Sequence, residues 1–240
     1  MTRKIINLIS GPRNISTALM YSFAQRKDCR VIDEPWYASY LKRTGKGHPG
    51  RAEILASQSQ DPETVLEQIQ QIEDVDLVFV KNMAHHLAEL PQNWWHSCHN
   101  VFLIRDPHEL ITSFQKVIPN PSMEDIGLKD EYDLYQSLDS KAEFPLVVLD
   151  SGEVLKNPEK VLSELCQSLS IPFYTSMLEW TPGARKEDGV WAKFWYASVH
   201  TSSGFKKAQK SKREMPAHCG DLYEEAMPFY SWLLEKSIKA

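Results

Sequence analysis

The sequence is poor in cysteine, in net charge and, at its N-terminus, in apolar length. Cys29, Cys98, Cys166 and Cys219 are the four cysteines among 240 residues, with no CxxC pair and no finger-like spacing, which excludes a disulfide framework and a zinc finger. The "HSCH" stretch at 96–99 sits beside Trp94 and Trp95 and reads as a loop packed against a strand, so no metal is expected. A formal net charge of −5 argues against broad binding to nucleic acid or an anionic membrane, while leaving room for a small basic pocket. "MTRKIINLISG" carries only a short apolar run before Gly11 and Pro12, which fits neither a signal peptide nor a membrane helix; a cytoplasmic location is expected.

What is present is an alternation of short apolar runs and helix-length segments. "KIINLIS" (4–10), "CRVID" (29–33), "DLVFVK" (76–81), "NVFLIRD" (100–106) and "PLVVLD" (145–150) read as buried parallel strands. Asp61 and Asn157 each precede a proline and an apolar stripe, the pattern of a capped helix. The C-terminal "GDLYEEAMPFYSWLLEKSIKA" reads as a closing helix kinked or interrupted at Pro228. The turn-rich stretches 43–60 and 117–142 read as loops near the strand ends. The whole, residues 1–240, is expected to be a single α/β domain with a central parallel sheet of about five strands flanked by helices. Ligands of such sheets bind beyond the carboxyl ends of the strands.

Two of those ends carry anion chemistry. "SGPRNIST" passes from a strand through Pro12, Arg13 and Asn14 into a helix opened by Ser16 and Thr17, so backbone N–H groups, a guanidinium and two hydroxyls share one turn. It lacks the lysine of a GxxxxGK[ST] loop, which disfavours ATP hydrolysis. "IRDPHELITS" places Arg105 at another strand end with Ser113 eight residues on, and the two can meet on one anion if the turn between them folds back.

In order and placement these motifs resemble the sulfotransferases that use 3′-phosphoadenosine-5′-phosphosulfate (PAPS). "PRNIST" is similar to their PRSGST-type loop for the 5′-phosphosulfate, and Arg105 with Ser113 to their site for the 3′-phosphate. "LDSGEVLKNPEKVLSELCQSLSIPF" resembles a later strand, "NP" and helix segment, so the likeness runs over roughly residues 4–173. Ile15 stands where the family has glycine, and Asn14 where it has a small serine or threonine. The resemblance implies a three-layer P-loop-like fold and PAPS as co-substrate, without a metal. It further implies sulfonate transfer to a hydroxyl, less readily an amine, of a small-molecule acceptor. Arg13 would stabilise the transferring charge. His85, His86 and Glu34 are candidate bases, His85 being expected to point away from the helical face that carries His86, and Lys81 could polarise the sulfonate. Ser203, Gly204, Phe205 and Lys206, within a basic segment 188–213, would lie over the adenine and 3′-phosphate. Trp36, Tyr37, Tyr40, Trp191 and Trp195 could wall the acceptor pocket or serve as core. Two other readings stay open: a kinase of the same fold, and a nucleotide-binding protein without turnover.

Overall fold

The structure is a computed structural model describing residues 3–87, 90, 93–115, 118–206 and 214–240. Six parallel strands form one sheet: β1 (Lys4–Ser10), β2 (Cys29–Asp33), β3 (Leu77–Met83), β4 (His99–Ile104), β5 (Val147–Asp150) and β6 (Ser237–Ile238), in the order β2-β3-β1-β4-β5-β6. β1 lies near the middle, in register with β3 (Ser10 opposite Met83) and with β4 (Ser10 opposite Leu103). The end of β1 therefore opens between two neighbours that run past it or level with it.

The pleat sends alternate residues into two apolar layers. Ile9, Val78, Val80, Phe102, Ile104 and Val148 join one core with helices Pro62–Gln70, Pro107–Phe114, Leu128–Asp139 and Gly220–Glu235. Ile6, Leu8, Phe79, Val101, Leu103 and Leu149 join the other with helices Ser16–Phe23 and Pro158–Ser168. Both faces of the sheet are covered, as parallel sheets require. A third cluster, containing Tyr37, Tyr40, Ile54, Trp191 and Tyr196, joins helix Tyr37–Thr44 to the segment around residue 191.

The caps follow the sequence: Asp61 accepts from the Thr64 amide at 3.0 Å and Asn157 from the Lys160 amide at 3.3 Å. Several expectations are corrected. The stretch 43–60 contains helix Arg51–Ser57, and 117–142 contains helices Met123–Ile126 and Leu128–Asp139. The closing helix continues through Pro228 to Glu235 and is followed by β6, a sixth strand of two residues paired with β5. β3 extends through Met83, which places Lys81 within the strand. Among the described residues, no helix is long and apolar enough to cross a membrane.

Candidate functional site

A cleft of about 670 Å3 opens over the carboxyl ends of β1–β4, within the range of small-molecule sites. Its wall at β1 is the turn Pro12–Ile15 with Ser16 and Thr17, both buried, at the start of the following helix. Gly11 makes this turn possible, because a Cβ there would stand 2.5 Å from the Ile126 carbonyl oxygen. Arg13 takes the left-handed φ of +54°. Ile15, at φ −90°, caps the helix in an ordinary conformation and packs partly buried against the second core. The conformational demand that glycine would meet thus falls on residue 13, and an isoleucine at 15 is no obstacle to the turn.

Asn14 ties the turn to the sheet. Its Nδ2 donates to the Leu103 carbonyl at 2.6 Å, and its Oδ1 accepts from the Ile15 amide at 2.9 Å. Its amide therefore serves the loop's shape, although the residue lines the cleft. The fold-back needed between Arg105 and Ser113 is present: Arg105 donates to the Arg13 carbonyl oxygen, and Arg13 Nε donates to Ser113 Oγ at 3.5 Å. Arg105 also lies 3.7 Å from Glu109. Arg13, Arg105, Ser113, Ser16 and Thr17 all line the cleft, Arg13 touching both Arg105 and Ser113, a cationic and hydroxyl-rich set suited to an anion.

The β2 and β3 ends supply the proton-transfer candidates. Glu34 is buried and held at φ +41°; with Arg13 and Ser170 it is one of three non-glycine residues at positive φ among the described residues. Two of these three strained positions line the cleft. Lys81 Nζ donates to Asp33 Oδ1 at 3.0 Å, to Tyr196 Oη at 2.7 Å and to Glu34 Oε1. Burial pushes the Glu34 carboxyl above the ordinary carboxylate range, while the Lys81 ammonium opposes the shift. Lys81 is itself held above the usual lysine range by the two carboxylates, despite its burial. Its ammonium is committed to these partners rather than presented at a strand end.

Both histidines line the cleft, which corrects the expectation that His85 points away. Their rings meet edge to face at 4.6 Å, and Tyr40 packs against each. Their surroundings differ. His86 Nδ1 lies 3.7 Å from Glu34 Oε2, whereas His85 faces the backbone near Gly127. Burial pushes His85 down to about 3 and His86 well below the ordinary histidine range. Both are uncharged at neutral pH, and among the described residues neither Nδ1 has a hydrogen-bond partner.

Of the aromatic candidates, Tyr37, Tyr40 and Trp195 line the cleft. Trp36 instead packs on Trp94 and Trp95 in the core, and Trp191 lies buried in the third cluster. Gly204, Phe205 and Lys206 line the cleft, together with Ser202. Gly204 forms a bridge with Glu179, and Ser203 is exposed with its carbonyl accepting from the Trp180 amide at 3.1 Å. Residues 207–213 of the basic segment lie outside the described residues. In the "HSCH" stretch, Cys98 donates to the Trp94 carbonyl and His99 stacks on Phe144 at 4.0 Å.

Three contributors escaped the sequence reading. Tyr196 joins the Lys81 network from 115 residues away, and only the fold reveals it. Glu131 is buried behind the turn, where it accepts the Gly11 N–H, and burial pushes its carboxyl well above the ordinary range. His48, hydrogen-bonded to Tyr37 Oη at 2.8 Å, lines the cleft beside Gly47 and Pro49. Gly45 and Gly50, both at left-handed φ, flank this strip, a turn signal that was legible.

A parallel sheet whose β1 strand ends in a tight turn at a helix N-terminus, with two arginines and buried ionisable side chains lining the cleft above it, has the architecture of a P-loop-like fold. Residues 3–237 match the family described as "Sulfotransferase domain", and the chain belongs to that family. Two proteins of Arabidopsis thaliana, "Branched-chain-amino-acid aminotransferase-like protein 1" and "protein 2", are 40% and 38% identical over 232 residues. The match takes in 96% of this chain and 41% of each relative, so the chain spans less than half of their length. Among solved structures, the "Sulfotransferase Domain from the Curacin Biosynthetic Pathway" has a TM-score of 0.57 at 16% identity, covering 97% of this chain and 98% of that one. Mouse sulfotransferase SULT7A1, crystallised with PAP, has 0.57 at 12%, covering 98% and 90%. At these identities the likeness is one of fold.

Proposed function

We propose that the chain is a sulfotransferase that binds PAPS across the strand ends and transfers its sulfonate to a hydroxyl of a small-molecule acceptor. The observation that carries this reading is the convergence of Arg13, Arg105 and Ser113 beside a helix N-terminus, in a cleft that His86 and Glu34 also line. These residues fit the donor: two guanidiniums and three hydroxyls match two separated anionic groups, and the glycine-tight turn brings backbone N–H groups close.

The donor supplies a sulfonate on a phosphate leaving group, and in-line transfer forms a bond from the acceptor oxygen to sulfur as the bond from sulfur to the bridging phosphate oxygen breaks. Arg13 and the turn amides stabilise charge on the departing phosphate, and Arg105 with Ser113 holds the 3′-phosphate. His86 takes the acceptor proton, because a carboxylate beside its Nδ1 can stabilise the imidazolium that forms. His85 has no such neighbour within ion-pair distance among the described residues. Tyr37, Tyr40 and Trp195 wall the acceptor side.

Nucleotide binding without turnover is the second reading. It is favoured by the burial that leaves both histidines uncharged and weakly basic. Incubation with radiolabelled donor and a panel of alcohols and phenols separates the two: a labelled product supports transfer. Donor binding with no product across the panel supports the silent binder.

A further inference from the structure

Glu34 touches two different partners with its two oxygens, Lys81 through Oε1 and His86 through Oε2. What keeps them apart is the saturation of Lys81. An ammonium has three N–H donors, and here Asp33, Glu34 and the Tyr196 hydroxyl take one each. The hydroxyl is saturated too: it accepts from Lys81 and from Trp191 Nε1 at 3.1 Å, and its own hydrogen goes to Asp33 at 2.8 Å. Asp33 Oδ2 additionally takes the Gly189 amide at 3.1 Å. The Glu34 backbone is pinned by the Lys81 carbonyl and by Gln58, so the carboxyl's remaining freedom is its side-chain torsion.

We infer that Tyr196 is a positioning residue for the transfer: by completing the partner set of Lys81, its hydroxyl fixes Glu34 Oε1 on the ammonium and leaves Oε2 facing His86. The inference rests on the reading of His86 as base. Without the hydroxyl, one buried Lys81 N–H and the Trp191 indole N–H lose their partner, and two carboxylates are left to share one ammonium. The groups facing the Glu34 carboxyl are Asp33 on β2, Lys81 on β3, His86 beyond β3, Tyr37 on the next helix and Tyr196 itself. Of these, Tyr196 alone comes from the segment that continues into the cleft wall at Ser202, Gly204, Phe205 and Lys206.

The test is the titration of the Glu34 carboxyl in the whole chain, followed by carbon NMR of glutamate-labelled protein, with Glu34→Gln identifying the resonance. In Tyr196→Phe, which keeps the ring and removes the hydroxyl, the midpoint should rise by about one unit. An unchanged midpoint in the folded variant overturns the inference. Trp191→Phe, which removes one donor to the same hydroxyl, should move the midpoint by less and in the same direction. If Tyr196→Phe does not fold, an unmoved midpoint in Trp191→Phe is the overturning result. Titration with adenosine 3′,5′-bisphosphate on the same samples separates the two claims: failure of wild type to prefer it contradicts the donor reading, while preference with an unmoved midpoint contradicts the role of Tyr196 alone.

Discussion

Arg105 donates to the backbone carbonyl of Arg13, so the guanidinium assigned to the 3′-phosphate also braces the turn assigned to the phosphosulfate. The two proposed anion positions thus share one contact between the ends of β1 and β4.

Arg105→Ala should therefore weaken adenosine 3′,5′-bisphosphate by about 10- to 100-fold, the worth of a charge-assisted contact, with a smaller loss for AMP through the loosened turn. Calorimetry on both ligands checks this. An equal loss for the two would remove Arg105 from the 3′-phosphate.

Asn14→Ala removes both hydrogen bonds that shape the turn and leaves the Leu103 carbonyl without that donor. A stability loss of about 1–3 kcal/mol is expected, read from denaturant midpoints. Asn14→Asp keeps the acceptor for the Ile15 amide but turns a carboxylate oxygen toward the Leu103 carbonyl, and should be no more stable than the alanine variant.

The turn after β1 was legible because its residue types are local: proline, arginine and two hydroxyls within six positions. Five strands were legible as continuous apolar runs, which buried parallel strands require. β6 was not, since two residues at the end of an amphipathic helix carry no period of their own. Helix Arg51–Ser57 was hidden by its short length and the turn formers around it, and Leu128–Asp139 by the preceding turn formers and its largely polar composition; tertiary contacts through Ile54, Leu134 and Leu138 stabilise them. Because Glu131 lies on the second of these helices, its approach to Gly11 was hidden with it. Lys81 was visible as a cation in an apolar strand, but its partners are set by the alignment of β2 with β3, where Asp33 stands opposite Lys81, and by a tyrosine far along the chain.

The buried histidines make stability pH-dependent with a defined sign. Both rings are uncharged when folded and take up protons from about pH 6.5 downward once unfolded, so the unfolded chain binds more protons and folding weakens as pH falls below 6.5 toward His85's value of about 3. Each contributes a slope of about 1.4 kcal/mol per pH unit in that window. His85→Gln should flatten the acid limb of stability against pH by that amount, measured from urea midpoints between about pH 6 and 4.

His86→Gln should lower sulfonate transfer by about 10²- to 10⁴-fold while leaving adenosine 3′,5′-bisphosphate bound, as expected for loss of a general base. His85→Gln should cost much less. The reverse ranking would transfer the role to His85, and undiminished transfer in both variants and in Glu34→Gln would reject all three candidates.

The central claim is a site for two separated anionic groups on one nucleoside, and calorimetric titration of the chain with adenosine 3′,5′-bisphosphate, against AMP and ATP, tests it most directly. The account predicts binding of the bisphosphate at least tenfold tighter than AMP, about 1.4 kcal/mol from the 3′-phosphate, and no requirement for magnesium. Equal affinity for the bisphosphate and AMP, or a preference for ATP with magnesium, would contradict it.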